Sequence, residues 1–345
     1  MIDGPPDQPP ATGAPAEVLA VVDAMYRHDS LAGIVHPDEE PPPLAELRRR
    51  LTYCCEAFQA CHYATLGRQL PDLIVHTQQA AASSAVDREC EAQGLLSRVF
   101  QLTASFLHKY GEDAAVQAAV VADRALSAAE RSADPVQIGA ASRRVAKSLV
   151  CQNRPQAAVD FATAAARRLS DDLTTRGPLG LSTLGMLYLN AAIAAAAQQR
   201  STAAVNAATG YVDEAGDVAE QQGRDLNEDW TMFGPTNVDL YRVDVLVRFE
   251  DGWSALDAAD AVDDGALAEM TRERRAQHHI AKARAALLTR RKDAAISELI
   301  EAERLAEEEV HGRQSVVRLI QDLVGATPVP SSQLRGLAER CGLRA

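Results

Sequence analysis

Apolar residues recur every three or four positions along most of the chain from Leu44 onward, which is the spacing of one face of an α-helix. The interruptions are short and are marked by proline or glycine, residues that end helices. They fall at Pro71, Asp134-Pro135, 153–155, Gly177-Pro178, 223–235, Asp251-Gly252 and 327–330. Long helices joined by turns of a few residues predict an all-α fold in which consecutive helices stack as a solenoid.

A repeated pattern of small residues supports this prediction. Four segments carry matched residues at offsets 0, 3, 7, 12, 16 and 19, and their first positions are Ala146, Ala192, Val243 and Ala283. In a helix-turn-helix unit these offsets lie where two antiparallel helices touch. The alanines at offset 12 should therefore be buried, and these are Ala158, Ala204, Ala255 and Ala295. A fifth, looser copy ends with Ala118, Ala122 and Ala125.

This pattern resembles the tetratricopeptide repeat, whose small residues recur at the first, fourth and sixth of these positions. The copies lie roughly 40–50 residues apart and lack the usual turn glycine, whereas the standard unit has ~34 residues. The resemblance implies a right-handed superhelical solenoid of antiparallel helix pairs, built from degenerate tetratricopeptide repeats. Its first helices would line a concave groove.

Proline usage divides the chain into three parts. Nine of the 16 prolines fall within the first 43 residues, which predicts that 1–43 is a flexible arm. One short amphipathic helix should interrupt the arm, with Val18, Leu19, Val22 and Met25 at helical spacing. Residues 44–325 then form the repeat solenoid, and 326–345 supply a C-terminal capping helix.

Composition and charge narrow the classes of partner. The chain has 35 Lys+Arg against 48 Asp+Glu, a net charge of −13, so direct nucleic-acid binding is not expected. No stretch approaches ~20 unbroken apolar residues, which argues against a membrane span. The first ten residues lack the apolar core of a secretory signal. The six cysteines do not show the regular spacing of a disulfide-bonded domain, so we expect them to be reduced thiols. We therefore expect a cytoplasmic protein.

The sequence offers no cofactor, metal or catalytic motif. Cys54 and Cys61 would lie about 10 Å apart along a helix, whereas two ligands of one zinc ion sit only ~4 Å apart, so these cysteines are expected to pack in the core. His278-His279 lacks the i, i+4 spacing of paired ligands and is expected on a helix surface. Glu307–Glu309 is most simply a solvated helix end. These features predict a protein that is not an enzyme.

Three strings extend the resemblance to a particular group of proteins. WTMFGPTNV at 230–238, ADRAL at 122–126, and EEEVH at 307–311 with Val317-Arg318 are similar to a signature of actinobacterial helix-turn-helix (XRE-type) transcriptional regulators with a C-terminal tetratricopeptide sensor domain. The resemblance covers roughly 44–325. It departs at the front, where such regulators carry a DNA-binding domain of ~60 residues that the Pro-rich arm cannot hold. The resemblance implies regulation, and we expect the chain to be either a sensor module cut from such a regulator or a stand-alone relative.

The repeat offsets also predict which side chains face the groove. Positions −6, −3, +1 and +5 of each copy give Asn237, Leu240, Asp244 and Arg248; Arg143 and Lys147; Met186, Leu189 and Ile193; and Gln277, Ile280 and Arg284. A misregistration by one residue would rotate every assignment by ~100°. Trp230 and Phe233 precede this face, and they either contact the ligand or plug the stack as part of a turn.

These observations favour a non-catalytic sensor or adaptor. A short peptide or small acidic metabolite would bind in the groove and bias the pitch of the superhelix, altering homodimerisation or contact with a protein partner such as a regulator. One alternative is a constitutive protein–protein scaffold without a small ligand. Another is an enzyme or enzyme accessory that uses the same groove.

Overall fold

The computed structural model describes residues 15–27 and 41–343, and the remainder of the predicted arm and the last two residues lie outside this range. In the described part, regular structure is helical apart from one isolated β-bridge between Leu226 and Phe233. The α-helices are α1 Ala16–Met25, α2 Leu44–Gln59, α3 Tyr63–Ser83, α4 Glu89–Leu107, α5 Ala115–Ser132, α6 Pro135–Cys151, α7 Pro155–Thr175, α8 Gly177–Ala196, α9 Thr202–Gln222, α10 Pro235–Arg248, α11 Gly252–Asp260, α12 Asp264–Glu269, α13 Arg272–Leu288, α14 Lys292–Leu305, α15 Glu307–His311, α16 Gln314–Ala326 and α17 Ser332–Arg340.

From α2 onward, most helices pack mainly against the helices that precede and follow them, as expected for an all-α solenoid. The most extensive contacts join α4 with α5, α8 with α9, α7 with α8, and α13 with α14, and the predicted pairs α6 with α7 and α10 with α11 also pack together. The predicted contact alanines Ala158, Ala204, Ala255 and Ala295 are at most 4% exposed, which confirms their burial. Small side chains there let paired helices approach closely and pack without voids.

The turns inside the pairs use left-handed residues that are not glycine. Asn153, Glu250 and Arg290, the offset-7 residues of three copies, have φ of 57°, 58° and 63°. Asparagine tolerates this conformation, while the other two residues bear a steric penalty of about 1–2 kcal/mol each. The turn geometry of the repeat is therefore kept although its usual glycine is missing.

The helix predicted within the N-terminal arm is docked on the solenoid. Helix α1 packs against α3, and its Val21 and Met25 are fully buried. A side chain at Gly67 of α3 would collide with Glu17, because the two backbones lie close together. The short helix therefore belongs to the N-terminal core, whereas the predicted flexibility of 1–14 and 28–40 concerns residues outside the described part.

Helix α8 is the most apolar element. It is the one helix in the described part with the length and mean hydropathy (1.5) of a membrane span, although the sequence analysis expected none, and 78% of that window is buried inside the protein. Its position between α7 and α9 explains this composition, because both sides of the helix contact other helices.

At the other end of the chain, α17 packs on α14 and α16, in the segment predicted to form the C-terminal cap. Arg340 donates two hydrogen bonds to the carboxylate of Glu303, at 2.6 and 2.7 Å, and so ties α17 to α14. The apolar face of α17 is covered because Leu334 and Leu337 are fully buried.

We predict that Ala295→Leu lowers the free energy of unfolding by about 1–3 kcal/mol, because the larger side chain overpacks the contact between α13 and α14. Ala294→Leu is the matched control, since residue 294 lies next to it on α14 and is exposed. Urea denaturation measures both. Equal stability of the two variants would show that residue 295 does not lie at a close helix contact.

Candidate functional site

A buried carboxylate connects the two ends of the solenoid. Glu309, in α15, is 0% exposed and accepts hydrogen bonds from Tyr63 and Lys109 in the N-terminal part and from Gln277 and Arg313 in the C-terminal part. The Arg313–Glu309 contact measures 2.8 Å. Lys109 also pairs with Glu273 of α13 at 2.7 Å. The concave face is therefore closed at this point by contacts between helices far apart in sequence.

The charges of this cluster are balanced. Burial by itself raises the pKa of Glu309, but Lys109 and Arg313 outweigh burial and hold the pKa below its usual range. Burial also raises the pKa of Glu273, and again Lys109, with Arg274, lowers it below its ordinary value. Desolvation and the Glu309 charge raise the pKa of the Tyr63 hydroxyl well above its usual value, so Tyr63 remains a hydrogen-bond donor.

This arrangement corrects the prediction that Glu307–Glu309 is a solvated helix end. Glu307 is 75% exposed as predicted, but Glu308 accepts a hydrogen bond of 2.9 Å from the Ala64 amide at the start of α3, and Glu309 is fully buried. A solenoid whose helices met only their neighbours would not bury this carboxylate. The stack of helices therefore brings its C-terminal part into contact with the N-terminal core.

Beside the closure lies a groove of about 450 Å³. Helices α6, α8, α10 and α13, the first helices of four pairs, contribute most of its wall, as the repeat offsets predict. Of the fourteen residues predicted at or before the groove face, seven line it, including Lys147, Leu240, Asp244, Arg248, Gln277 and Arg284. Ile193, which the same offsets predicted, lines it as well.

The groove is cationic although the protein is acidic overall. Six basic residues line it against two carboxylates, those of Asp244 and Glu273; the basic residues are Lys109, Lys147, Arg248, Arg274, Arg284 and Arg313. Arg248 and Asp244 form an ion pair at 3.4 Å, which is weak because both side chains are 37% exposed. Such an excess of positive charge attracts anions into a partly enclosed space.

Lys147 is the least compensated of these cations. Within the described residues no carboxylate lies at ion-pair distance from its ammonium group. Burial, together with repulsion from Lys109 and Arg144, lowers the pKa of Lys147 to about 7. Arg284 is similarly short of partners, since the structure gives it one long hydrogen bond of 3.5 Å to the Ser315 carbonyl.

Seven of the predicted residues do not line the groove. The prediction that Asn237 faces it does not hold, because this side chain is 0% exposed and donates to the Thr231 carbonyl at 3.3 Å. Arg143 is 5% exposed and lies deeper on α6, while Trp230 lines a different cavity. Phe233 is fully buried against Gly185 of α8, where a Cβ atom would overlap its ring. Met186, Leu189 and Ile280 are buried too.

The segment before α10 explains these differences. Asp229, Trp230 and Met232 have left-handed φ angles of 52°, 59° and 50°, so the chain folds back tightly and inserts Phe233 under α8. This insertion covers the start of α10, so Asn237, at position −6 of its repeat copy, is buried in the core instead of facing the groove. The interpretation of Phe233 as a plug of the stack is therefore the one that the structure supports.

The repeat offsets missed the residues that enter the groove from other elements. Lys109 follows α4, Glu273 and Arg274 begin α13, and Arg313 follows α15, so none of them occupies a repeat position. Arg274 stacks over Tyr241 at 5.4 Å and donates to the Thr231 carbonyl at 3.4 Å. In the sequence, Glu309 and Arg313 are four residues apart, a spacing that allows an ion pair on one side of a helix. An acidic run is more simply explained as a solvated helix end, so this spacing did not predict a buried pair.

Among the cysteines and histidines of the described part, Cys151 and His278 line the groove, and the others lie elsewhere. Cys54, Cys55 and Cys61 are buried, and burial raises the pKa of their thiols to about 11, 12 and 12. His278 is buried rather than on a surface, and desolvation lowers its pKa to about 4. In residues 15–27 and 41–343 no group of His, Cys, Asp or Glu side chains could hold a metal ion.

No protein-family profile matches the chain, and no curated protein is significantly similar to it.

We predict that Glu309→Gln lowers the free energy of unfolding by about 3–5 kcal/mol, because Arg313 and Lys109 then lose a buried counter-charge. Glu307→Gln is the matched control on the same helix, since that side chain is 75% exposed and should change stability by less than about 0.5 kcal/mol. Urea denaturation of the two variants separates the closure from a general effect of charge in α15. If Glu309→Gln is nearly as stable as the wild type, the buried Glu309 cluster does not stabilise the protein as predicted.

We predict that Lys147→Met raises the free energy of unfolding at pH 7 by at least about 1 kcal/mol. This amount corresponds to a pKa shift of less than one unit. Because the pKa of Lys147 in the folded protein is about 7, below its ordinary value, the unfolded chain binds more protons between pH 7 and about 10. The destabilisation that charged Lys147 causes in the folded protein is therefore complete below pH 7, and it declines as the pH rises from 7 to about 10.

The measurement is the difference in melting temperature between Lys147→Met and the wild type at pH 6, 7, 8.5 and 10. We expect a positive difference that shrinks towards pH 10. A difference that is constant across this range would mean that Lys147 is not deprotonated more easily in the folded protein.

Proposed function

We propose that this chain is a non-catalytic regulatory protein whose groove binds a ligand carrying a carboxylate, either a short peptide or a small acidic metabolite. The observation that carries the proposal is the set of groove cations without matching carboxylates, Lys147 above all, in a protein of net charge −13. An uncompensated cation at such depth destabilises the folded state. A bound anion would remove that penalty.

The arrangement of these cations suits a carboxylate flanked by an amide. Lys147 on α6 and Arg284 on α13 approach the groove from different helices, and an arginine can bind a carboxylate through two parallel hydrogen bonds. Asn190 donates to the Met186 carbonyl at 2.8 Å, which orients its amide at the same wall. Gln277 is fixed by its hydrogen bond to Glu309. Both amides can accept a hydrogen bond from a ligand N–H group.

The regulatory part of the proposal rests on the solenoid and on the resemblance of its sequence strings. A ligand held between α6 and α13 would favour one curvature of a right-handed superhelix of tetratricopeptide type. The change would reach a protein partner, such as a transcriptional regulator, or a second copy of the chain. We propose a cytoplasmic protein that contacts neither nucleic acid nor membrane directly, and that needs no cofactor.

The test is equilibrium dialysis of the protein against pooled tetrapeptides with free C-termini, the same pool amidated, and a set of di- and tricarboxylates, followed by calorimetry of the retained compound. We expect retention of a compound with a free carboxylate. Its affinity should fall at least about tenfold in Lys147→Met and in Arg284→Met, the loss expected for a charge-assisted hydrogen bond. Affinity should also be lower at pH 9 than at pH 6, because Lys147 loses its proton.

The matched control is Arg167→Met, which removes an exposed positive charge from α7, outside the groove. This variant should bind as the wild type does. Retention of no small molecule, together with a protein partner whose binding ignores Lys147 and Arg284, would favour the scaffold alternative. Equal binding of the amidated pool would exclude carboxylate recognition.

A further inference from the structure

A second cavity lies in the N-terminal part of the molecule. It has a volume of about 540 Å³ and is bounded by α2, α4, the start of α6 and Trp230 of the segment that precedes α10. This volume is in the range of pockets that enclose small organic ligands. None of its lining residues lines the groove described above. The repeat offsets did not predict it.

Much of the cavity wall is apolar. Leucines from α2 and α4 face the side chains of Phe58 and Trp230 across it, and the leucines are Leu51, Leu95 and Leu102. Trp230 is half-buried and packs against the N-terminal core. A hydrocarbon body placed against these side chains would lose contact with water there, which favours binding by about 25 cal/mol for each Å² buried.

Two of the three arginines in the wall already have carboxylate partners. Arg48 pairs with Glu91 at 2.6 Å, and Arg98 pairs with Asp229, whose left-handed backbone brings its carboxylate inward. The remaining acid, Asp134, caps α6 by accepting a hydrogen bond of 3.1 Å from the Val136 amide.

Arg144 is the third arginine and lacks such a partner. Within the described residues no carboxylate forms an ion pair with it, and its Nε atom is buried without a hydrogen-bond acceptor. Burial lowers the pKa of Arg144 to about 10, which still leaves the guanidinium charged at neutral pH. A charged side chain whose Nε–H donor is buried beside a partly apolar cavity is satisfied best by an anionic acceptor that arrives with an apolar body.

We infer that this cavity is a second binding site, for an amphipathic monocarboxylate whose carboxylate pairs with Arg144 and whose apolar body lies between the leucines, Phe58 and Trp230. The site is independent of the proposed groove function. The two sites are close, however, because α6 presents Arg144 to this cavity and Lys147, three residues later, to the groove. Arg274, which lines the groove, also binds the backbone of Thr231 next to Trp230.

The experiment uses octanoate as the probe and 1-octanol as its neutral match. The chain has two tryptophans, and Trp253 is 59% exposed beside Arg291, so Trp253→Phe leaves Trp230 as the sole indole reporter. We expect octanoate to bind with a saturable change in Trp230 emission and with at least tenfold higher affinity than 1-octanol. In Arg144→Met the affinity for octanoate should fall at least tenfold, to that of 1-octanol.

Arg143→Met is the matched control, because Arg143 precedes Arg144 on α6, is buried, also has a partnerless Nε atom, and lines neither cavity. This variant should retain octanoate binding, which excludes a general effect of losing an arginine from α6. Lys147→Met should retain it as well, which separates this site from the groove. Equal affinity for octanoate and 1-octanol, binding that survives Arg144→Met, or no emission change at millimolar octanoate would each overturn the inference.

Discussion

The closed shape of the molecule depends on the hydrogen bonds and ion pairs that the fully buried carboxylate of Glu309 accepts. A stack of helix pairs normally gains its stability from neighbours alone and leaves its concave side open. Here one carboxylate collects donors from Tyr63, Lys109, Gln277 and Arg313, and so joins the first helices to the last ones. The groove owes its enclosure to this contact, since its cationic wall would otherwise face bulk water and attract anions less strongly.

Helix α6 carries unpaired cations that lower the stability of the folded protein and that we propose bind ligands. Arg143 is buried, Arg144 and Lys147 are partly exposed, and within the described part none of the three has a carboxylate partner. In contrast, Lys109 and Arg313 in the closure are matched by Glu273 and Glu309. The charges of the closure are thus compensated, whereas Arg144 and Lys147, which line the two cavities, have no carboxylate partner, as is typical of positions kept for a ligand.

The helix pairs and their contact alanines could be predicted from the sequence because both depend on spacing along one helix or two adjacent helices. The groove face could be predicted from Lys147, Leu240 and Arg284 for the same reason. Asn237 could not, because the fold of Asp229–Phe233 depends on left-handed residues that the repeat pattern does not encode. Glu309 and the cavity beside Arg144 involve partners far apart in sequence, and periodicity carries no information about them.

The closure also sets an order of events during synthesis. Lys109 and Glu309 are 200 residues apart, so at about 5–20 residues per second the carboxylate leaves the ribosome roughly 10–40 s after the ammonium group. Helices α2 to α5 can pair by then, but Lys109 has no counter-charge and must stay hydrated. The N-terminal part of this protein is therefore completed only when the C-terminal part arrives.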